Sequence, residues 1–214
     1  MEKIIIFGGG GLGLEVIAYF KDLDNKKYQV VGIIDEGNID INSLSKESNN
    51  KLNIYKSIND APINDHKFII CVMDTDVRAR AYKELCNLKA SFVSMIHPSA
   101  FIAKSAKIGQ GVIICPNVYI APKAIVSDNT ISHIFSSVGH EASIGQSSFL
   151  GPRASLLGNS ICEDEVSIGF SSNVNVGIKV GRKSKLSYNS TLNNNCPAGS
   201  LAFGIPAKHK IVFK

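Results

Sequence analysis

Several features that would place a chain in a large, familiar class are missing here. No cationic segment is followed by a long apolar run, so neither a signal peptide nor a membrane span is expected among the 214 residues. The five cysteines (Cys71, Cys86, Cys115, Cys162 and Cys196) are odd in number, and no two stand at CxxC spacing. That argues against a disulfide framework and against a zinc or other metal site. It favours reduced, structural thiols in the cytoplasm. A strong charge excess is also lacking. The net charge of +5 is spread along the chain, which suits small anionic ligands and does not make a nucleic-acid protein. GxSxG is absent, so the serines do not add up to a hydrolase.

What is present is a repeat. Read every sixth residue from Ile102, the chain gives Ile108, Ile114, Ile120, Val126, Ser132, Val138, Ile144, Leu150, Leu156, Cys162, Ile168, Val174, Val180, Leu186 and Leu192. Only Ser132 and Cys162 are not aliphatic. Two positions earlier stands a small or β-branched residue, as at Val112, Ala124, Ser136, Ala142, Ser148 and Ser172. Both positions share one strand parity, so both point inward. Glycine often follows the aliphatic residue, as at Gly109, Gly139, Gly145, Gly151, Gly169 and Gly181, where a turn with positive φ would use it. A period of six without insertions is neither a helix nor a hairpin spacing. It is the pattern of a parallel β-helix, in which three hexapeptides close one triangular coil and coils stack at about 4.8 Å. Roughly five coils are expected on that count. An ordinary β-sandwich would have to produce this spacing by accident.

Before the repeat the pattern changes. Lys3–Phe7 is a continuous apolar run, as in a strand buried on both faces. Gly8 to Gly11, Leu12 and Gly13 then lead into a helical stretch from Leu14 to Phe20. A second strand, Gln29–Ile34, ends at Asp35 and Glu36, about twenty residues past the glycines, the place of a ribose-binding carboxylate. Strand, glycine turn and helix together suit a phosphate at the helix N-terminus; the plainer alternative is tight helix-on-strand packing. Glu36 to Tyr55 is polar and reads as a surface loop or a poorly ordered segment. Lys67–Val72 is a third strand, Asp76–Leu88 a helix with apolar residues at helical spacing and a mixed-charge outer face, and Ser91–Ile96 a last strand. The predicted class is therefore an α/β Rossmann-like domain with a parallel sheet over 1–96, then a left-handed β-helix with a C-terminal cap over 97–214.

A β-helix core is apolar, so chemistry belongs to its turns. His66, His97 and His209 read as surface or structural residues. His140 sits in a turn two places after the inward Val138 and is followed by Glu141. An imidazole held in one tautomer by a carboxylate is the arrangement of a general base near neutral pH. The alternative for His140 is a solvated turn residue. His133 lies seven residues earlier and is either structural or faces the same groove.

Together GGGGLG, the strand ending IDE, HPSAFIAKSAKIG, VGHEASIG and the closing FGIPAK resemble the bacterial sugar acetyltransferases of the PglD/NeuD type, over nearly the whole chain. The resemblance implies a homotrimer that uses acetyl-CoA to acetylate the amine of a UDP- or dTDP-linked 4-amino sugar for surface-glycan synthesis. It implies His140 as the base with Glu141 behind it. Gly11, Leu12, Gly13, Asp35 and Glu36 would hold the nucleotide sugar, and Gly158 and Phe170 would line the CoA groove. Phe149, at the place of a second histidine beside the acetyl group, belongs to the same groove. Leu12 stands where a histidine is frequent, and His133 where an asparagine is. Three alternatives remain. One is an O-acetyltransferase acting on a sialic acid or polysaccharide hydroxyl. Another is a non-catalytic β-helix binding or assembly protein. The last is an NAD-dependent oxidoreductase, for which the first domain is short of a full six-stranded dinucleotide fold.

Overall fold

A computed structural model describes residues 1–24 and 27–213. The chain divides into two compact units, one formed by Met1–Met73 with Arg80–Met95, the other by Asp74–Ala79 with Ile96–Lys214. Among the described residues no helix is long and apolar enough to cross a membrane.

The first unit contains β1 (Glu2–Phe7), α1 (Gly11–Asp24), β2 (Tyr28–Ile34), α2 (Ile41–Ser48), β3 (Asn53–Tyr55), β4 (Lys67–Ile70), most of α3 (Thr75–Asn87) and β5 (Ser91–Phe92). The five strands form a parallel sheet in the order β3-β2-β1-β4-β5. Ile4, Ile5 and Ile6 are all fully buried, so both faces of β1 are covered, as a continuous apolar run requires. Strand order reverses beside β1, and open α/β sheets take ligands beyond the carboxyl ends of their strands at such a point.

Two expectations need correction here. Glu36 to Tyr55 is not an unstructured loop: it holds α2 and the edge strand β3. The Asp40 side chain caps α2 at the Ser43 amide (3.1 Å), Leu44 is buried beneath it, and Asn49 closes it at φ 55°. Caps and one buried anchor outweigh a polar composition. The stretch Ser91–Ile96 is two strands: β5 pairs with β4, and Ile96, in the separate strand Met95–Ile96, begins the second unit. On α3, Arg78 is a buried charge that the sequence reading did not single out. It is fully buried, with Nε donating to the Asn129 carbonyl at 2.5 Å, while Asn129 Nδ2 donates to the Arg78 carbonyl and to Ser147 Oγ.

The second unit is a left-handed parallel β-helix. Two-residue strands recur at every hexapeptide from Phe101–Ile102 to Thr191–Leu192 and assemble three parallel faces. The first face carries Tyr119–Ile120, Ser137–Val138 and Ser155–Leu156. The second carries Ile125–Val126, Ser143–Ile144 and Ile161–Cys162. The third carries Ile131–Ser132, Phe149–Leu150 and Ser167–Ile168. Partners are eighteen residues apart, as in Tyr119 with Ser137 and Ser137 with Ser155. The inward aliphatics from Ile114 to Leu192 are buried, and Ser132 and Cys162 occupy the same column. Burial pushes the Cys162 thiol well above its ordinary range, which leaves it an inert filler. The small inward residues have a polar task as well. Ser148 Oγ donates to the Glu163 carbonyl and accepts from the Val166 amide, and Ser172 does the same with Ser187 and Ser190. Each hydroxyl ties one coil to the next and satisfies backbone groups that water cannot reach.

The glycines after the inward residues are needed for a reason other than positive φ. At each corner the left-handed conformation falls two residues later, on Asn117, Lys123, Phe135, Glu141, Arg153 or Asn159. The glycines permit close approach instead. A Cβ on Gly145 would lie 2.5 Å from the Glu163 carbonyl carbon and 2.6 Å from the Asp164 amide. That obstacle is backbone of the next coil and cannot step aside. Gly145→Ala is therefore expected to cost about 1–3 kcal/mol, as overpacking does, read as a lower denaturation midpoint at unchanged slope. The chain closes with an antiparallel hairpin, Ser200–Gly204 and Ala207–Ile211, whose first strand pairs with Lys185–Leu186 and covers the coil end.

Candidate functional site

His140 sits at the corner between the first and second faces, in the turn joining Ser137–Val138 to Ser143–Ile144. Its side chain is 64% exposed. Two coil neighbours define its place. The Asn159 amide donates to the His140 carbonyl at 2.9 Å, and the Glu141 amide donates to the Pro122 carbonyl at 3.1 Å. The ring leans over Gly158, one coil further on: a Cβ there would fall 2.5 Å from both Cε1 and Nε2. Gly158 thus gives the imidazole its room.

Glu141 is in the left-handed conformation, φ 59°, which turns its side chain alongside the ring. Its Oε2 lies 3.7 Å from His140 Nδ1, within ion-pair reach and beyond hydrogen-bond length. Its Oε1 accepts from Lys123 Nζ at 2.8 Å. Lys123 holds the same corner position one coil earlier, also at positive φ, so the two side chains leave the backbone in one column. The ammonium hydrogen-bonded to Glu141 holds its carboxyl below the usual carboxylate range, with a smaller contribution from His140, and Lys123 is raised in return. A carboxylate facing Nδ1 favours the tautomer with its proton there, which leaves the Nε2 lone pair to accept a proton. Lys123 was missed in the sequence, although it stands one coil length before Glu141.

The other residues expected beside a CoA groove lie elsewhere. His133 follows Ile131–Ser132, at the corner between the third and first faces, so within one chain it does not share the His140 corner. It is buried, and its Nδ1 accepts from the Ile134 amide at 2.9 Å, which puts the neutral ring's proton on Nε2. Phe149 is outward on the third face yet buried, edge-on between His133 (6.3 Å) and Phe170 (6.4 Å), and Phe170 stacks on Tyr188 at 4.7 Å. Gly158 is therefore at one corner, and Phe149 and Phe170 are at or beside another.

In the first unit the glycines divide by role. Gly8 has φ +99°, and a Cβ on Gly13 would lie 2.3 Å from the Gly8 carbonyl oxygen, so these two serve packing of α1 on β1. Nothing lies within 4 Å of a Cβ on Gly10 or Gly11, which face open space. The Leu12 side chain is buried in the core, so only its backbone amide is offered at the turn. The amides of Gly11, Leu12 and Gly13 precede the first helical bond, Leu14 N–H to the Gly10 carbonyl, and amides so placed suit an anion. Asp35 does more than wait for a ribose. Its Oδ2 accepts from the Gly9 amide at 2.7 Å and its Oδ1 from the Gly37 amide at 2.8 Å, clasping the turn after β1 to the turn after β2. Each oxygen keeps a second acceptor site. Glu36 is exposed beside it.

An α/β unit with a parallel sheet, followed by a left-handed β-helix carrying an exposed imidazole at one corner, is the architecture these elements define. Solved structures share the fold along nearly their full length. PerB from Caulobacter crescentus, in complex with CoA and GDP-perosamine, superposes with a TM-score of 0.85 at 22% identity over 98% of each chain. The acetyltransferase domain of PglB from Neisseria gonorrhoeae gives 0.83 at 21% over 97% of this chain and 99% of that one. WeeI from Acinetobacter baumannii gives 0.82 at 19% over 98% and 100%. No protein-family model matches the sequence.

Proposed function

We propose that the chain is an acetyl-CoA-dependent N-acetyltransferase acting on the amine of a nucleotide-linked amino sugar, with His140 as general base. The observation that carries this is the exposed His140 ring, seated over Gly158 with a carboxylate at Nδ1. The amine must be neutral to attack the thioester carbonyl. His140 Nε2 takes the proton as the C–N bond forms, Glu141 stabilises the imidazolium, and the CoA thiolate leaves as the tetrahedral intermediate collapses. The side chains involved supply acid–base chemistry, and no acyl-enzyme is required. The similar fold of a protein solved with CoA and GDP-perosamine supports this substrate pair. It also adds GDP to the UDP and dTDP expected of the carrier.

The acetyl-CoA groove is assigned to Gly158, Phe149 and Phe170. Because one chain holds them at different corners, a second copy completes the groove, and the reading includes a homotrimer. Exposed apolar side chains on the faces flanking His140, Phe101 stacked on Tyr119 and Ile125 with Ile161, support such packing. The sugar nucleotide is assigned to the amides of Gly11, Leu12 and Gly13 and to Asp35 and Glu36. Transfer from acetyl-CoA to a panel of UDP-, dTDP- and GDP-linked amino sugars, followed by thiol release, tests the function; no release from any of them rejects it. Asp35→Ala unclasps the glycine turn. It is expected to raise KM for the sugar nucleotide about tenfold, the scale of one charge-assisted hydrogen bond lost, with KM for acetyl-CoA unchanged.

A further inference from the structure

The corner that carries His140 holds a third charged group that an imidazole–carboxylate pair does not require. Glu141 stands between an ammonium and the imidazole, and the sharing is unequal. It lies at hydrogen-bond distance from Lys123 Nζ, 2.8 Å, and nearly an ångström further from His140 Nδ1, 3.7 Å. The backbone makes this arrangement recurrent. Lys123 and Glu141 occupy the same left-handed corner position in consecutive coils, φ 61° and 59°, so their side chains rise in parallel about one coil apart. The Lys123 amide is itself fixed, donating to Ser105 Oγ at 3.1 Å in the coil before.

We propose that Lys123 is a positioning residue that draws Glu141 off the His140 ring, so that the carboxylate holds Nδ1 more weakly than in a bare His–Glu pair. The inference rests on the general-base reading of His140. The charges around the ring are few. Along the two columns of this corner, from Lys104 to Gly177, the charged members besides His140 are Lys104, Lys123 and Glu141, and the rest are Ser105, Pro122, Gly158, Asn159, Val176 and Gly177. Lys104 is two coils from His140, leaving Lys123 and Glu141 as the charges of the adjoining coil and of its own.

The sign follows from two effects that point the same way. Removing the ammonium removes a repulsion felt by the imidazolium. It also frees Glu141 to close the gap to Nδ1, which adds an attraction. Both favour the protonated ring, so its titration midpoint rises. Had Lys123 served as a brace pressing Glu141 toward the ring, its loss would release the carboxylate into solvent and the midpoint would fall. The two roles are therefore separated by direction.

The test uses the full-length protein and two readouts. The first is an NMR titration of the His140 Cε1–H signal, assigned by its loss in His140→Gln. In Lys123→Met the midpoint is expected to move up by about half a pH unit, the scale of an exposed ion pair. In Lys123→Arg, which keeps the charge and the pair, it is expected to stay at the wild-type value. In Glu141→Gln it should fall. The second readout is the acid limb of kcat/KM against pH, which should move with the NMR midpoint in each variant. An unmoved or lowered midpoint in Lys123→Met overturns the proposal, whatever the activity. Absence of acetyl transfer by the wild type rejects the functional reading instead, and the NMR midpoint still decides whether Lys123 draws the carboxylate away. If Lys123→Met proves poorly folded, Lys123→Gln is read in the same way.

Discussion

His140→Ala is expected to lower turnover at least about a hundredfold, the usual scale for removing a general base, while leaving the fold in place. The two halves of that expectation have separate grounds. Stability should hold because the ring is mostly outside the core: it projects from a turn, and the backbone amides of Asn159 and Glu141 keep the corner closed without it. Activity should fall because His133, even where a second copy brings its corner to the groove, cannot take over: it is buried, with Nδ1 committed to the Ile134 amide. The measurement is kcat by thiol release at saturating acetyl-CoA and sugar nucleotide, with the denaturation midpoint recorded on the same sample. The loss should appear in kcat and in kcat/KM alike, since the proton moves only in the transition state. Turnover near the wild-type value removes His140 from the base role.

The β-helix was legible because its constraint is one-dimensional. An aliphatic residue every six positions can be satisfied by one kind of coil, and the coil predicts which residues fill it, Ser132 and Cys162 included. The glycines were legible as necessary and misread as to cause. Sequence shows that a side chain is missing, and only coordinates show whether the reason is backbone angle or a neighbour at 2.5 Å. The stretch from Glu36 to Tyr55 was obscured by composition. A helix of eight residues held by a cap at Asp40 and the single buried Leu44 leaves almost no periodic signal. Arg78 was obscured because burial of a guanidinium depends on the Asn129 carbonyl, fifty-one residues away in sequence. At the site, His140 and Glu141 are neighbours in the chain and could be read directly. Lys123 and Gly158 are one coil away on either side and become neighbours only once the eighteen-residue register is applied to the corner.

Gly158→Ala should separate placement of the base from stability of the fold. The substitution is the same as at Gly145, and the obstacle differs. At Gly145 a new Cβ meets backbone of the next coil; at Gly158 it meets the His140 ring, which can swing away about its own side-chain bonds. The strain is thus relieved by moving the imidazole, and the denaturation midpoint should stay close to wild type. The cost appears in the chemistry. A Cβ 2.5 Å from Cε1 and Nε2 has to gain roughly an ångström of clearance, and a displacement of that size in a reacting group costs about a hundredfold. The decisive measurement is a double-mutant cycle. In the His140→Ala background the ring is gone, so adding Gly158→Ala should lower kcat no further. A full additional loss there would mean that the substitution acts through the acetyl-CoA groove that Gly158 also lines, and that its contact with the imidazole is not what holds the base in place.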